Sequence, residues 1–288
     1  MTIKEINGRL RSLLADIPDG DFDALCIFED FIAPREALLT HPENNISEDK
    51  CAMAIGAAHK RLEGYPLQYI LGTWEFYGLT FKVGEGVLIP RPDTETAVTA
   101  ALDMVSRLYD GTPLITADLC SGSGCIAVAM AKEAGDRVKT YAVELSGDAI
   151  PYLLDNVRDN KADVTLIRGD ISNGHLLDNF VDASGEPVEL DLIISNPPYL
   201  TEAEMNDLQR EVSYEPETAL YGGTDGLKFY RIIASLWGER LRHGGGIVLE
   251  IGDRQAEDVK KILSDSGFTH IRVIQYAGLD RVVTAIRK

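Results

Sequence analysis

From residue 94 onward, the chain alternates between short strand-like segments and amphipathic helical segments. This alternation predicts an α/β domain of Rossmann-like type, in which a mostly parallel sheet is covered by helices on both faces. Two late segments flank Gly278 and predict a terminal hairpin, which places one antiparallel strand at the end of the sheet order. The predicted strands cover residues 114–119, 138–143, 164–168, 190–194, 246–251, 271–276 and 281–286. The predicted helices cover residues 94–109, 123–134, 147–160, 227–241 and 255–264.

The first 72 residues instead carry apolar side chains at helical spacing. A third predicted helix, over residues 47–62, begins at the N-cap candidate Ser47 and is stopped by Gly64. We therefore expect a small helical bundle over residues 1–72. Its apolar stripes comprise Ile6, Leu10, Leu13 and Leu14 in the first helix, Leu25, Phe28 and Ile32 in the second, and Cys51, Ala54, Ile55, Ala58 and Leu62 in the third.

Between these two patterns, residues 74–83 are aromatic and β-branched and alternate around Gly78, which predicts a short hairpin. The following Ile-Pro-Arg-Pro sequence at residues 89–92 predicts an extended segment, because proline disfavours a helical conformation in the residue before it. We therefore expect a helical substrate-recognition domain at 1–72, a β-hairpin linker at 73–92 and an α/β domain that carries the chemistry at 93–288.

The charge balance limits the partners that the chain can hold. Lysine and arginine number 28 against 46 aspartate and glutamate residues, and the net charge of −18 repels phosphate backbones. We therefore expect no direct nucleic-acid binding. No stretch approaches the roughly 20 apolar residues of a membrane span, and the start lacks the apolar run of a secretory signal. We expect a cytoplasmic monomer without a membrane partner.

The four cysteines suit neither a zinc site nor a disulfide framework. They lie at positions 26, 51, 120 and 125, form no Cys-x-x-Cys pair and are not accompanied by paired histidines. We therefore expect reduced thiols in the core and no bound metal.

A glycine-containing loop follows the first strand of the large domain and opens a helix. It reads Asp118-Leu119-Cys120-Ser121-Gly122-Ser123-Gly124. Glycines at such a place let the backbone turn tightly and approach a ligand. A dinucleotide site would have a third glycine where this chain has Ala127. The loop therefore indicates either a ligand site or a structural turn, and does not identify the ligand.

Acidic residues follow the next two strands. Glu144 ends the second strand, about 20 positions past the loop, where a carboxylate can bind the two hydroxyls of a ribose. Nicotinamide dinucleotides and S-adenosylmethionine both carry that ribose, so Glu144 does not distinguish between them. A surface carboxylate at a helix start is the alternative. Asp170 is a candidate for contact with an adenine edge, or else a turn residue after Gly169.

The very apolar strand at 190–194 is followed by the motif Asn196-Pro197-Pro198-Tyr199. In an open α/β sheet, ligands bind at the carboxyl ends of the strands. The Asn-Pro-Pro-Tyr motif is therefore expected in the same cleft as Gly122, Gly124 and Glu144.

The residue types of the motif suit the orientation of a planar NH₂ group. The side-chain carbonyl of Asn196 and the backbone carbonyl of Pro197 can each accept one of its N–H groups, and the prolines stiffen the loop. Tyr199 can pack on a planar amide or base. Such a site would aim the nitrogen lone pair at a methyl donor, for an in-line displacement that needs no metal. A rigid turn is the alternative.

The Asn-Pro-Pro-Tyr motif together with Asp-Leu-x-x-Gly-x-Gly is similar to class I methyltransferases that act on amide or exocyclic amino nitrogens. Three further segments resemble the bacterial peptide-chain-release-factor glutamine N5-methyltransferases, and the resemblance covers essentially the whole chain. These segments are Gly-Tyr-Pro-Leu-Gln-Tyr-Ile-Leu-Gly at 64–72, Leu-Ile-Pro-Arg-Pro-Asp-Thr-Glu at 88–95 and Tyr-Glu-Pro-Glu-Thr-Ala-Leu-Tyr-Gly-Gly-Thr-Asp-Gly-Leu at 214–227.

The resemblance implies methyl transfer from S-adenosylmethionine to the side-chain amide nitrogen of the glutamine in the Gly-Gly-Gln motif of class 1 peptide chain release factors, with S-adenosylhomocysteine as the other product. It implies that Asn196, Pro197 and Tyr199 are catalytic and that these three and Pro198 bind the substrate. It implies donor contacts from Asp118, Cys120, Ser121, Gly122, Ser123, Gly124, Glu144, Asp170, Ile171 and Asn196.

The chain departs from the common family pattern at two positions. Glu144 stands where many members have aspartate, and its longer side chain should still reach a ribose. Ile171 stands where an aromatic residue is common, so it can pack against adenine but cannot stack on it. The family also includes a ribosomal-protein glutamine methyltransferase with the same core motifs.

Two other functions stay open on sequence alone. The motif also suits the exocyclic amine of a nucleic acid, although this function predicts a basic face that the net charge opposes. The second open function is that of a nucleotide-binding module without catalytic activity. For Arg91 and Glu95, capping of the helix near Thr94 is one interpretation. We expect the Glu215-Pro216 segment to shape the substrate mouth.

Overall fold

The computed structural model of the chain describes residues 1–181 and 185–288. These residues form two compact units. The first comprises Met1–Thr73 with Gln209–Tyr214, and the second comprises Trp74–Leu208 with Glu215–Lys288. Of the predicted linker at 73–92, residues 74–92 group with the second unit and Thr73 groups with the first. Substrate recognition by the first unit stays a prediction.

The first unit is helical, with α1 (Ile3–Leu14), α2 (Gly20–Phe31), α3 (Ala37–Thr40), α4 (Glu48–Leu62) and α5 (Leu67–Leu71). Thr2 and Glu5 form a capping box at the start of α1. Ser47 caps α4, as predicted, by accepting a hydrogen bond from the Lys50 backbone N–H. Of the predicted apolar stripe of α1, Ile6, Leu10 and Leu14 are buried and Leu13 is half-buried, and Ile3 is buried beside them.

The buried face of α4 includes a charge that the apolar stripe does not predict. Arg61 is only 6% exposed, and its guanidinium donates to Asp23 at 2.6 Å and to Glu211 at 2.5 Å. Burial raises the pKa of Asp23, while the hydrogen bond from Arg61 acts in the opposite direction. Of the predicted stripe of α4, Cys51, Ala54 and Ala58 are buried, whereas Ile55 is half-buried and Leu62 is exposed.

Residues Gln209–Tyr214 belong to the first unit although the chain on either side belongs to the second. The Tyr214 ring packs edge-on against Tyr65, with ring centroids 5.1 Å apart. Gly64 has a positive φ of 82°, and a Cβ atom there would lie 2.6 Å from the Arg210 side chain. Gly64 is therefore needed both for the chain reversal after α4 and for this close approach.

The predicted hairpin is present as β1 (Thr73–Phe76) and β2 (Leu79–Lys82). Its two-residue turn, Tyr77-Gly78, has positive φ at both positions, 51° and 70°, as a type I′ turn requires. Phe76 and Phe81 are buried in the same hydrophobic cluster as residues of the large sheet. This burial explains why the hairpin groups with the second unit.

The second unit is built on a seven-stranded sheet with strand order β5-β4-β3-β6-β7-β9-β8. Its strands are β3 (Leu114–Leu119), β4 (Val138–Glu144), β5 (Val164–Arg168), β6 (Leu190–Ser195), β7 (Leu241–Glu250), β8 (Phe268–Tyr276) and β9 (Leu279–Arg287). β9 runs antiparallel to both β7 and β8, which confirms a mostly parallel sheet with one antiparallel strand. That strand does not lie at the end of the order, because its buried residues 282–285 place it inside and leave β8 at the edge.

The helices of this unit are α6 (Glu95–Leu108), α7 (Cys125–Ala134), α8 (Ala149–Asp159), α9 (Glu202–Met205), α10 (Glu217–Leu220), α11 (Lys228–Ile232) and α12 (Ala256–Asp265). The helix predicted over 227–241 is interrupted, because a π-helical turn at Ile233–Trp237 follows α11. The turn carries the fully buried Trp237, whose indole N–H donates to the Ile171 carbonyl at 2.8 Å. Within the described residues, no helix is long and apolar enough to cross a membrane.

Candidate active site

The carboxyl ends of three strands lie side by side, because β3 pairs in parallel with β4 on one side and with β6 on the other. The segments that follow these ends line one cavity, so the glycine loop and the Asn-Pro-Pro-Tyr motif come together. Of the predicted site residues, the lining includes Cys120, Ser121, Gly122, Ser123, Glu144, Asp170, Ile171, Asn196 and Pro198. It does not include Asp118, Gly124, Pro197 or Tyr199.

The loop at 120–124 depends on left-handed backbone conformations. The φ angle is 62° at Cys120, 54° at Gly122 and 78° at Gly124. At Gly124 a Cβ atom would also lie 3.0 Å from the Leu153 side chain. The Ser121 N–H donates to the carbonyl of Val143 at 3.1 Å and ties the loop to β4. The backbone is therefore held close to the cavity before any ligand binds.

Asp118 lies beneath this loop and is fully buried. One carboxylate oxygen accepts the Ala127 N–H at 3.1 Å, and the other has no hydrogen-bond partner in the described part of the chain. Burial raises the pKa of Asp118 to about 8. The geometry gives Asp118 a supporting position under the loop and the start of α7, and its contact with a donor stays a prediction.

The Glu144 carboxylate bridges two backbone segments at the cavity. One oxygen accepts the Gly122 N–H at 2.7 Å, and the other accepts the Ser146 N–H at 2.7 Å. Each oxygen keeps a further lone pair. Since the residue is only 8% exposed and lines the cavity, it is not a plain surface carboxylate. An oriented carboxylate of this kind can accept two neighbouring hydroxyl groups.

The two residues after β5 both line the cavity. The Asp170 carboxylate accepts the Ser172 N–H at 2.8 Å through one oxygen, so Asp170 is a turn residue and a cavity residue at once. The Ile171 carbonyl accepts the Trp237 indole N–H, and its buried side chain belongs to the core. Ile171 therefore gives the cavity a fixed apolar wall.

Asn196 presents an unpaired acceptor. Its side-chain NH₂ donates to the Thr94 hydroxyl at 3.3 Å, while its side-chain oxygen has no partner among the residues that the structure describes. The Pro197 carbonyl oxygen likewise accepts no hydrogen bond from this part of the chain. Two adjacent residues thus offer the pair of acceptors that a planar NH₂ group requires.

The backbone of Pro198 and Tyr199, the last two residues of the motif, packs against Gln255 and two glycines. The Gln255 side-chain NH₂ donates to the Tyr199 carbonyl at 2.9 Å and to the Gly226 carbonyl at 3.3 Å. A Cβ atom at Gly222 would lie 2.6 Å from the Pro198 carbonyl oxygen, and one at Gly226 would lie 2.4 Å from the Tyr199 carbonyl oxygen. The glycines of the 214–227 segment therefore let that backbone pack against the motif.

The Tyr199 ring is half-buried and packs against the core rather than lining the cavity. Burial, reinforced by the nearby Glu250 carboxyl, raises the pKa of the Tyr199 hydroxyl above its usual range. The phenol therefore stays neutral at ordinary pH. Its contact with a substrate stays a prediction.

The segments that contain Arg91 and Glu215, to which the sequence assigns no chemical role, meet beside the cavity. Arg91, which lines it, donates to the Glu215 carboxylate, whose other oxygen accepts the Ile89 N–H at 3.0 Å. Burial raises the pKa of Glu215, and the Arg91 charge opposes that rise. Arg91 makes no side-chain capping bond, and Glu95 instead accepts the Tyr77 N–H at 2.8 Å. The interpretation that Arg91 and Glu95 cap the helix near Thr94 is therefore wrong.

Cys120 and Cys125 also line the cavity, and burial raises the pKa of both thiols. All four cysteines are free. Over residues 1–181 and 185–288, no group of three or more His, Cys, Asp or Glu side chains could hold a metal ion. The lining offers the oriented carboxylate of Glu144, the unpaired side-chain carbonyl of Asn196 and the apolar wall of Ile171, which suits a nucleoside beside an NH₂ group.

Comparison with known proteins agrees with this arrangement. Residues 104–220 match the family described as methyltransferase small domain, and residues 7–72 match the PrmC N-terminal domain. The hMettl16 catalytic domain, solved in complex with the MAT2A 3'UTR hairpin 1, is similar in fold, with a TM-score of 0.56 and 14% sequence identity over 95% of this chain and 92% of that chain. Fold and site define a class I, Rossmann-like methyltransferase.

Three relatives narrow this class, each named release factor glutamine methyltransferase. The protein of Clostridium acetobutylicum is 40% identical over 256 residues, covering 88% of this chain and 86% of its own length. That of Koribacter versatilis is 35% identical over 288 residues, or 98% of both chains. That of Fusobacterium nucleatum subsp. nucleatum is 36% identical over 274 residues, covering 93% of this chain and 74% of its own length. The chain belongs to the release factor glutamine methyltransferase family, as the sequence motifs predict.

Proposed function

We propose that this protein transfers a methyl group from S-adenosylmethionine to the side-chain amide nitrogen of the glutamine in the Gly-Gly-Gln motif of class 1 peptide chain release factors. Family membership supports the reaction. The observation that carries it in this chain is the pair of unpaired acceptors, on Asn196 and Pro197, in the segment that follows β6 beside the 120–124 loop.

The cavity fits the proposed donor. The nearest atom to a Cβ built on Gly122 is 4.0 Å away, on Val87, so the space in front of the loop is open to a ligand. Glu144 would accept the two ribose hydroxyls through its remaining lone pairs. Asp170 would accept the adenine amino group, and Ile171 would pack against the ring. When bound, S-adenosylmethionine supplies a methyl group that is activated by its sulfonium centre.

The substrate side of the mechanism uses positioning rather than a base. An amide nitrogen is a poor nucleophile because its lone pair is delocalised into the carbonyl group. Asn196 and Pro197 would accept the two N–H groups of the glutamine and aim the nitrogen at the methyl carbon. Held in this way, the amide nitrogen would take the methyl carbon while the carbon–sulfur bond of the donor breaks, and the departing thioether would keep the electron pair. The nitrogen then releases a proton to water.

The proposal includes a cytoplasmic monomer that works without a metal and without a membrane or nucleic-acid partner. The net charge of −18 supports a protein partner over a phosphate backbone. The helical unit at Met1–Thr73 is proposed to recognise the release factor.

Mass spectrometry tests the proposed function. Purified protein is incubated with S-adenosylmethionine and a class 1 release factor, and the peptide that contains Gly-Gly-Gln is sequenced. We expect one added methyl group on the glutamine. A factor with that glutamine replaced by alanine must stay unmodified, and ribosomal proteins and RNA are assayed in parallel to test the alternative substrates.

The variant Asn196→Ala provides the matched control for the site. It should abolish methylation and leave the dissociation constant for S-adenosylmethionine within about threefold of the wild-type value, a difference of well under 1 kcal/mol. Methylation of the alanine-substituted factor would overturn the assigned target. Normal turnover by Asn196→Ala would overturn the role of the acceptor pair.

A further inference from the structure

Asn156 is a buried side chain of α8 that lies behind the 120–124 loop. It is only 1% exposed, although asparagine is mostly found at protein surfaces, and it does not line the cavity. A buried amide is stable only where its hydrogen-bonding groups are paired. The partners of Asn156 therefore show what this side chain holds in place.

The Asn156 amide bonds to two segments that are far apart in the chain. Its side-chain oxygen accepts the Lys82 N–H at 2.6 Å, and its NH₂ donates to the Lys82 carbonyl at 3.1 Å. The NH₂ also donates to the Ser123 carbonyl at 2.9 Å. Both hydrogens and the oxygen of the amide are thus used, and only one orientation of the amide satisfies all three bonds.

The Ser123 carbonyl depends on its bond from Asn156. At a regular helix start it would accept the N–H of Ala127, four residues further on. That N–H instead donates to the Asp118 carboxylate at 3.1 Å, so the Asn156 NH₂ supplies the donor. Because Ser123 is only 2% exposed, loss of the Asn156 side chain would leave a buried carbonyl unpaired.

The chain that follows β2 forms a wall of the same cavity. Residues 86–88 line the cavity from this segment, and residues 121–123 line it from the loop. The two segments face each other closely, since a Cβ atom built on Gly122 would lie 4.0 Å from the Val87 side chain. Asn156 therefore holds both walls, one through the end of β2 and the other through the loop itself.

We propose that Asn156 is a positioning residue for the methyl donor, because it fixes the spacing between the 86–88 wall and the 120–124 loop. The donor then enters a slot of set width, and its binding does not have to order either wall. The proposal rests on the proposed function, because it takes S-adenosylmethionine as the ligand of this cavity.

Isothermal titration calorimetry with S-adenosylmethionine tests the proposal in the absence of a release factor. Asn156→Asp keeps the side-chain volume and the acceptor for the Lys82 N–H, but removes both hydrogens that the NH₂ donates. Asn156→Ala removes all three bonds. We expect each variant to raise the dissociation constant by about tenfold or more, the effect of losing roughly one hydrogen bond.

Steady-state kinetics of release-factor methylation separate positioning from a general loss of structure. In both variants the KM for the donor should rise about tenfold, while kcat at saturating donor stays within about threefold, because Asn196 and Pro197 are not displaced. Partial unfolding would instead lower kcat and the number of binding sites per chain. It would leave the dissociation constant of the remaining sites unchanged.

Asn160→Ala is the matched control, at the C-terminal end of the same helix. The Asn160 NH₂ donates to the Thr80 carbonyl in β2 at 2.9 Å and to the Asn156 carbonyl at 3.0 Å, and neither bond reaches the loop. This variant therefore loosens β2 from α8 without releasing Ser123. The dissociation constant for S-adenosylmethionine should stay within about twofold of the wild-type value.

Hydrogen exchange of the wild-type protein gives a test without a substitution. Coupling between two sites is reciprocal, so a donor in the cavity should protect the Lys82 N–H, which donates to Asn156 and lies outside the lining. At saturating S-adenosylmethionine its exchange should slow by about threefold or more. The amides of β8, at the far edge of the sheet, should exchange at unchanged rates.

Wild-type donor affinity in Asn156→Asp and Asn156→Ala would overturn the proposal, and so would an equal loss of affinity in Asn160→Ala. A Lys82 N–H that the donor does not protect would also overturn it. A fall in kcat at unchanged donor affinity would assign Asn156 to structure alone, against the proposal. A wild-type protein that binds S-adenosylmethionine but methylates no release factor would instead refute the proposed function, and the binding test of Asn156 would still stand.

Discussion

The Arg91 guanidinium is paired with the carboxylate of Glu215, which lies 124 positions further along the chain. Glu215 is 6% exposed and also accepts the Ile89 N–H at 3.0 Å. This ion pair joins the Pro-Arg-Pro and Tyr-Glu-Pro-Glu segments beside the cavity that Arg91 lines. Both segments are therefore needed to hold one wall of the site.

Removal of Arg91 leaves a buried carboxylate without its counter-charge. We expect Arg91→Ala to lower the free energy of unfolding of the second unit by about 3 kcal/mol, as for other buried pairs that lose one partner. In Arg91→Ala/Glu215→Gln most of the loss should be recovered, because glutamine is uncharged and keeps an oxygen for the Ile89 N–H. Urea unfolding followed by tryptophan fluorescence measures the free energy of unfolding of the second unit, since Trp74 and Trp237 both lie in that unit.

The exposed pair Arg107–Asp103 on α6 supplies the control. Arg107→Ala should change the free energy of unfolding by less than about 0.5 kcal/mol, because solvent screens this pair. If Arg91→Ala were as stable as Arg107→Ala, the Glu215 carboxylate would not depend on its partner, and our account of this wall would be wrong.

A second prediction concerns the Glu144 carboxylate. In Glu144→Gln one oxygen becomes an NH₂ group, which must face the N–H of either Gly122 or Ser146. We expect the affinity for S-adenosylmethionine to fall at least tenfold, or about 1.4 kcal/mol, because the loop and the ribose acceptors are both disturbed. Isothermal titration calorimetry measures the affinity of each variant for S-adenosylmethionine. The exposed Glu133 is the control, and equal affinities of Glu133→Gln and Glu144→Gln would exclude a ribose-binding role.

The parts of the fold that sequence predicts are those set by local patterns. The strand limits 114–119 and 164–168 agree with β3 and β5. A largely buried run defines β3 locally, and the alternation of Val, Thr, Leu, Ile and Arg with Ile167 as its buried residue defines β5. The meeting of the glycine loop and the Asn-Pro-Pro-Tyr motif is also predictable, since both follow parallel strands and such strands end at one edge.

The features that sequence does not predict depend on contacts between distant residues. The helical pattern at 227–241 gives no sign that the bond from Trp237 to the Ile171 carbonyl accompanies a π-helical turn. The register of β6 and β7, which pairs Ser195 with Leu249 just before Asn196 and Glu250, is likewise encoded in no single segment. Residues Gln209–Tyr214 join the first unit through contacts that include the Glu211–Arg61 ion pair and the packing of Tyr214 on Tyr65.

A third prediction follows from the burial of Glu250, which raises the pKa of its carboxyl from 4.5 to about 8. Asp93 contributes to the rise, whereas Arg281 and Arg91 oppose it. The native state therefore keeps a proton that the unfolded chain releases. The resulting stabilisation is complete below pH 4.5 and is lost as the pH rises to about 8, with a slope of about −1.4 kcal/mol per pH unit.

Glu250→Gln should remove that slope. The free energy of unfolding, measured in urea at pH 5 and at pH 8, should fall less in the variant than in the wild type. Asp118, whose pKa burial also raises to about 8, leaves a residual slope of the same sign in both proteins. A difference between variant and wild type that stays constant with pH would show that Glu250 does not titrate in this range.

The last prediction concerns Gly222, which lies against the backbone of the Asn-Pro-Pro-Tyr motif. A Cβ atom at this position would lie 2.6 Å from both the Pro198 carbonyl oxygen and the Tyr199 Cα atom, and backbone atoms cannot rotate away as a side chain can. We expect Gly222→Ala to shift the motif, at a cost of about 1–3 kcal/mol in the free energy of unfolding. The value of kcat should fall about tenfold as the acceptor pair loses its alignment.

Gly174→Ala is the matched control in the same unit, because its Cβ atom would lie 3.5 Å from the Leu236 side chain, an ordinary contact. It should keep kcat and change the free energy of unfolding by less than about 1 kcal/mol. Affinity for S-adenosylmethionine should be unchanged in both variants, since the 120–124 loop and Glu144 are not displaced. A Gly222→Ala variant with normal kcat would mean that the motif tolerates displacement, and precise placement of Asn196 and Pro197 could not then be the source of the rate.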